Sequence, residues 1–169
     1  MIGSLEGRLT HKSPPHLMLE GGGVGYDVEA PMSTFYGLPA VGERLRLLTH
    51  LVVREDAHIL YGFATAEERQ LFRSLLKVSG VGPRIALAIL SGASAASFAQ
   101  CVREKNSAAL TRIPGVGRKI AERLVVEMAD RLAMASDGGT LAAGTVADIA
   151  AGPEAEAWTA LVSLGYKPV

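Results

Sequence analysis

Val78-Ser79-Gly80-Val81-Gly82-Pro83-Arg84-Ile85-Ala86 returns 35 residues later as Ile113-Pro114-Gly115-Val116-Gly117-Arg118-Lys119-Ile120-Ala121. The match extends outward, with Leu75 answered by Leu110 and Ile89 by Leu124. Each copy predicts a helix, a tight Gly-x-Gly turn and a second helix. Glycine adopts positive φ and lets another backbone come close. Pro83 suits the first turn of a helix, where its missing N–H would have had no partner anyway.

Successive free N–H groups in a glycine turn form a concave nest, and the following helix adds the positive end of its dipole. A phosphate is the ligand such a site favours. Gly80 and Gly82 shape the first nest, Gly115 and Gly117 the second. Arg84 in the first copy, and Arg118 and Lys119 in the second, sit on the opening turns of the helices and place charge beside each nest. The arrangement resembles the helix-hairpin-helix motif, which holds nucleic-acid backbone phosphates without reading bases. A plain helix–helix turn accounts for one glycine pair but gives no reason for the basic residues to repeat with it. A dinucleotide loop fits worse, because neither turn completes the third glycine of G-x-G-x-x-G and neither follows a strand. No G-x-x-x-x-G-K-[ST] occurs, so the chain is not expected to hydrolyse ATP itself.

The chain has 169 residues, 49% of them hydrophobic, enough for a core in one domain or several small ones. The lone Cys101 excludes an internal disulfide and suits a reducing compartment. It stands at helical spacing among Phe98 and Val102, as a packing residue would. There is no leader-like N-terminus and no 18-residue apolar span, so a soluble, cytoplasmic protein with no membrane contact is expected. Formal net charge is zero, but it is unevenly spread. Residues 1–64 carry 5 basic and 7 acidic side chains, 65–135 carry 11 and 6, and 136–169 carry 1 and 4. The positive charge gathers in the segment that holds both glycine turns, as backbone binding requires.

Residues 1–63 read as β structure. Tyr26, Val28 and Ala30 alternate with Asp27 and Glu29, and Leu45 and Leu47 with Arg44 and Arg46. Turn signals fall at Ser13-Pro14-Pro15, Gly21-Gly22-Gly23 and Pro39 to Gly42, and Met32 to Leu38 fits one short helix. Five or six strands with an interposed helix predict an oligonucleotide/oligosaccharide-binding (OB) type barrel. Arg54-Glu55-Asp56-Ala57 crowns the last hairpin. Glu55 and Asp56 there are either a solvated turn or a negative tip that repels phosphate. Thr65-x-x-Glu68 is a capping box; Ser94, and Asn106 or Ser107, cap later helices. The last helix of 64–135 should run from Gly117 to about Ala133, with Arg123 one turn from Lys119 facing the nest and Glu127 paired with Arg131. Residues 136–152 read as a flexible Gly/Ala-rich linker. Residues 153–169 read as one amphipathic helix with Trp158, Leu161 and Val162 on its apolar face.

Val52-Val53-Arg54-Glu55-Asp56-Ala57, Leu60-Tyr61-Gly62-Phe63, both glycine turns, Ala86 to Gly92 and Leu164-Gly165-Tyr166-Lys167-Pro168 together resemble the RuvA family, the Holliday-junction-binding subunits of bacterial branch-migration complexes. The resemblance implies an α+β chain: an OB-type barrel (1–63), a tandem helix-hairpin-helix domain (64–135), the linker, and the first helix of a C-terminal domain. It implies a homotetramer, one or two per junction, holding four-way junction DNA open and square. Gly80, Gly82, Arg84, Gly115, Gly117, Arg118, Lys119 and Arg123 then match the phosphate contacts. Glu55 and Asp56 match the acidic pin at the crossover. The implied partners are the hexameric ATPase RuvB, engaged through the C-terminal domain, and the resolvase RuvC. The family's C-terminal domain has three helices and only the first is matched here, so junction binding is expected to persist more surely than motor coupling. Neither a cofactor, a metal nor a catalytic residue is implied.

Two other classes compete. A helix-hairpin-helix glycosylase places a lysine where Lys119 stands and an aspartate farther on, as Asp137 does. That aspartate falls in the expected linker, with nothing to hold it near a base. A single-strand-binding barrel needs exposed stacking aromatics, and aromatics make up only 5% of this chain.

Overall fold

The computed structural model describes residues 2–137; the segment from 138 onward, including most of the expected linker and the whole 153–169 helix, lies outside the described residues. Strands β1 (Ser4–Ser13), β2 (His16–Gly21), β3 (Val24–Glu29), β4 (Arg44–Val53) and β5 (His58–Phe63) close into a barrel in the order β1-β2-β3-β5-β4. Helix α1 (Met32–Tyr36) is inserted between β3 and β4. All pairings are antiparallel except β3 with β5, which meet in parallel at Glu29 and Tyr61. Alternation decides what fills the barrel: Leu9, Leu17, Leu19, Val28, Leu47 and Leu60 point inward and are buried. Met18, Asp27 and Arg46 on the other phase stay outside.

Tyr61 and Phe63, at the end of β5, belong instead to the core of the helical half. Phe72 of helix α2 (Ala66–Leu75) lies against both, with ring centroids 5.0 Å from Tyr61 and 4.9 Å from Phe63. Polar ties flank this apolar seam. Arg73 Nε donates to His50 Nδ1 (3.3 Å), and Arg69 donates to the carbonyl of Gly3 (2.9 Å). Glu68 Oε2 accepts from Thr34 Oγ1 at 3.0 Å and from Ala64 N–H at 3.1 Å, while its own N–H is held by Thr65 Oγ1. The capping box is therefore present, but its glutamate reaches one residue farther back and also clasps α1.

Helices α3 (Pro83–Gly92), α4 (Ala95–Arg103), α5 (Ser107–Leu110) and α6 (Arg118–Asp137) complete the described chain. The pairs α2–α3 and α5–α6 are the two hairpins, and α4 joins them. Leu75 and Leu110, Val78 and Ile113, Val81 and Val116, Ala86 and Ala121, and Ile89 and Leu124 are buried in one shared core with Phe98 and Val102 of α4. Each large apolar side chain buried this way contributes about 1.5–3 kcal/mol, against ~0–1 kcal/mol for an exposed ion pair, so the matched apolar positions hold the domain together. Cys101 is half-buried and packs on that core. Ser94 and Asn106 cap α4 and α5 by accepting from Ser97 N–H (3.1 Å) and Ala109 N–H (3.0 Å).

Two local expectations change. Helix α6 continues to Asp137 rather than ending near Ala133. Glu127 lies 3.8 Å from Arg123, not beside Arg131. Arg131 instead donates to the carbonyl of Lys77 at 3.5 Å, because α6 runs along the first hairpin and offers it an acceptor there. Among the described residues no single helix is long and apolar enough to cross a membrane.

Candidate nucleic-acid interface

The two glycine turns are built bond for bond alike. Val81 N–H returns to Val78 O, and Val116 N–H to Ile113 O, each at 3.0 Å. The residues in the third place of these turns, Gly80 and Gly115, have φ of 84° and 85°. A turn closed this way with positive φ at its third residue follows the type II pattern, which favours proline in second place, as Pro114 provides. The flanking ladder repeats too: Lys77 N–H to Ser74 O is answered by Arg112 N–H to Ala109 O, and Ala86 N–H to Gly82 O by Ala121 N–H to Gly117 O.

Gly82 and Gly117 have a different standing. Gly82 is the N-cap of α3 with extended backbone (φ −91°, ψ 174°), which any residue adopts. Among the described residues, a Cβ built at either glycine would meet no atom within 4 Å beyond its own chain neighbours. The fold itself therefore gives no reason for glycine at these two places; an external group approaching the backbone does. Among the described residues the N–H groups of Gly82, Arg84 and Ile85, and of Gly117, Arg118, Lys119 and Ile120, donate to no protein acceptor. They are the orphan donors of two helix N-termini, and the dipole of each helix makes such a place favourable to an anion.

The basic side chains divide by how they are engaged. Arg84 and Lys119 are exposed and make no ion pair among the described residues. Arg118 Nε lies 2.9 Å from Glu122 Oε1 on the exposed face of α6, a pair worth little in water that a phosphate can replace. Arg123 donates from Nη1 to Ser79 O at 3.0 Å. It thus anchors the second hairpin's helix on the first hairpin's turn, beside Gly80, while its Nε faces Glu127 at 3.8 Å. Lys77 and Arg112, exposed just before the two turns, are further candidates that motif reading passed over. The 35-residue offset pairs them and was the signal that would have found them.

At the end of the barrel, Arg54 N–H closes a turn onto Ala57 O at 2.8 Å, leaving Glu55 and Asp56 exposed on the tip of the β4–β5 hairpin. Beneath it, burial raises the pKa of Tyr61; Glu29 adds to the rise and Arg54 opposes it. His50 is lowered, first by burial and then by Arg73 and Arg69. The glycosylase constellation is not assembled. Lys119 and Asp137 lie on one helix, 18 residues apart, so their backbones are separated by roughly 27 Å at about 1.5 Å per residue. One base cannot meet both.

A closed OB-type barrel joined to a tandem helix-hairpin-helix unit, with two outward-facing donor cradles, defines a class of proteins equipped to grip a sugar–phosphate backbone. The comparisons with known proteins narrow it. Residues 1–62 match the RuvA N terminal domain, and residues 72–130 the SAM-like helix-hairpin-helix tandem. The Holliday junction branch migration complex subunit RuvA of Thioalkalivibrio sulfidiphilus is 58% identical over 171 residues, covering 99% of this chain and 85% of its relative. The subunit of the same name from Nitrosococcus oceani is 55% identical over 170 residues, with the same coverage, and that of Pseudomonas savastanoi pv. phaseolicola is 53% identical over 173 residues. The chain belongs to the RuvA family.

Proposed function

We propose that this protein binds four-way DNA junctions through backbone phosphates, as a non-catalytic subunit of a branch-migration complex. Each hairpin takes one phosphate rail of a duplex arm. Gly80, Gly82 and Arg84 form the first contact, and Gly115, Gly117, Arg118 and Lys119 the second. Arg123 braces the two and adds charge between them. Because every donor addresses phosphate and none reads a base edge, binding is indifferent to sequence. Glu55 and Asp56 repel phosphates at the tip, so continuous duplex across that point is disfavoured while strands that part at a crossover are accommodated.

Four copies around one crossover complete the site in this reading, each supplying a pair of cradles and one acidic tip. The motor belongs to a separate ATPase, RuvB, engaged through the C-terminal segment, and cleavage to the resolvase RuvC. The sequence has no G-x-x-x-x-G-K-[ST] of its own. The observation that carries the proposal is the glycine at 82 and 117, kept where the fold leaves open space, at the head of two equivalent sets of unused N–H donors.

A gel-shift comparison of a four-way junction with linear duplex of equal length, read together with the mass of the complex, tests it. The junction should bind at least about tenfold tighter, a difference of about 1.4 kcal/mol, in a complex containing four chains or eight. Equal affinity for the two DNAs contradicts the proposal.

A further inference from the structure

A cleft of about 680 Å³ lies between the barrel and α3. His16, Glu29 and Tyr61 line its barrel side along one cross-strand row, His16 opposite Glu29 and Glu29 opposite Tyr61. Arg54 stands at the tip end of that wall, and Arg84 comes from the opening turn of α3 on the other side. The walls are tied together: Met32 N–H donates to Ser91 Oγ at 3.0 Å, fixing α1 against α3. The fold uses the Arg54 backbone, whose N–H closes the hairpin turn, but among the described residues its guanidinium makes no ion pair. Two arginines outweigh the single carboxylate of Glu29.

We propose that this cleft is a third DNA-backbone site, in which Arg54 contacts the phosphodiester of a strand passing from the first hairpin towards the acidic tip. The proposal rests on the junction-binding reading above. A strand seated on the Arg84 cradle and heading for the crossover must cross the mouth of this cleft. Arg54 immediately precedes Glu55 and Asp56, so the sign of the surface reverses within one residue. A phosphate is drawn to the side of the tip and refused at its summit. The helical wall belongs to the first hairpin alone, which makes the two hairpins unequal: the first faces the crossover, the second the arm. Arg54 then serves crossed strands and is idle on linear duplex.

Gel shifts of the full chain on a four-way junction and on linear duplex, at several salt concentrations, decide it. Arg54→Ala should weaken junction binding by about tenfold, reduce the salt slope by about one per bound chain, and leave duplex affinity within about twofold. Arg54→Lys should restore most of the loss. Neutralising single phosphates near the crossover as methylphosphonates should weaken the wild type at one position and leave Arg54→Ala unaffected there, which separates a contact from a general field effect. Equal losses on both DNAs, no loss on the junction, or an unchanged slope would each overturn the proposal. A wild-type protein that does not prefer the junction fails earlier and separately, against the function itself.

Discussion

Four glycines in two turns divide into two kinds, two that the backbone requires and two whose place, in the proposed reading, is to leave room for phosphate. Gly80 and Gly115 hold a left-handed backbone, so Gly115→Ala should cost about 1–2 kcal/mol, seen as a lower urea midpoint. Gly82 has no such constraint, and serine is a favoured N-cap. Gly82→Ser should keep stability within about 0.5 kcal/mol while weakening DNA binding severalfold, because its side chain fills the cradle. A stable Gly115→Ala, or a Gly82→Ser variant with full DNA affinity, would reverse that division. The repeated glycines and the bases beside them were legible in the sequence; which glycine does which job was not, since φ values and the empty space above Gly82 appear only in three dimensions. Arg123 illustrates the same limit. Its spacing from Lys119 marked it for phosphate, but nothing local announces that Ser79 O, 44 residues away, accepts its Nη1.

Helix α2 packs the hairpins onto the barrel within one compact unit, residues 1–134. Its start was readable because a cap is a local signal, Thr65 with Glu68 three residues on. Its docking was not, because the alternation of a strand says that one face is covered and not by what. Phe72 against Tyr61 and Phe63, and Arg73 on His50, are the answer. That seam carries a pH signature. His50 is held below its ordinary pKa, so the unfolded chain binds more protons than the folded one just below that value, about 6.5. The seam's contribution is fully present above it and declines as pH falls through the window towards the lowered folded value. Denaturant midpoints measured from about pH 7.5 down to about pH 5 should fall more steeply for the wild type than for His50→Gln, which keeps an acceptor for Arg73 but cannot take the proton. Parallel curves would remove His50 from the account.

On the scale of the molecule, a chain of zero net charge separates its signs: a basic helical half, and a barrel that ends in two carboxylates. The regional sums were legible in the sequence, as was the hairpin that carries Glu55 and Asp56. The cleft between Arg54 and Arg84 was not, because it joins residues from both halves. Replacing Glu55 and Asp56 with Gln and Asn should raise affinity for linear duplex severalfold and erode the preference for crossed strands. No gain on duplex would make the tip an ordinary solvated turn. Everything else depends on the two cradles holding phosphates, and salt reports that most directly. The slope of log affinity against log salt on a four-way junction should be shallower for Arg84→Ala/Lys119→Ala than for the wild type by about two per bound chain, and should not change when the base sequence of the arms is exchanged. An unaltered slope in the double variant would contradict the account at its centre.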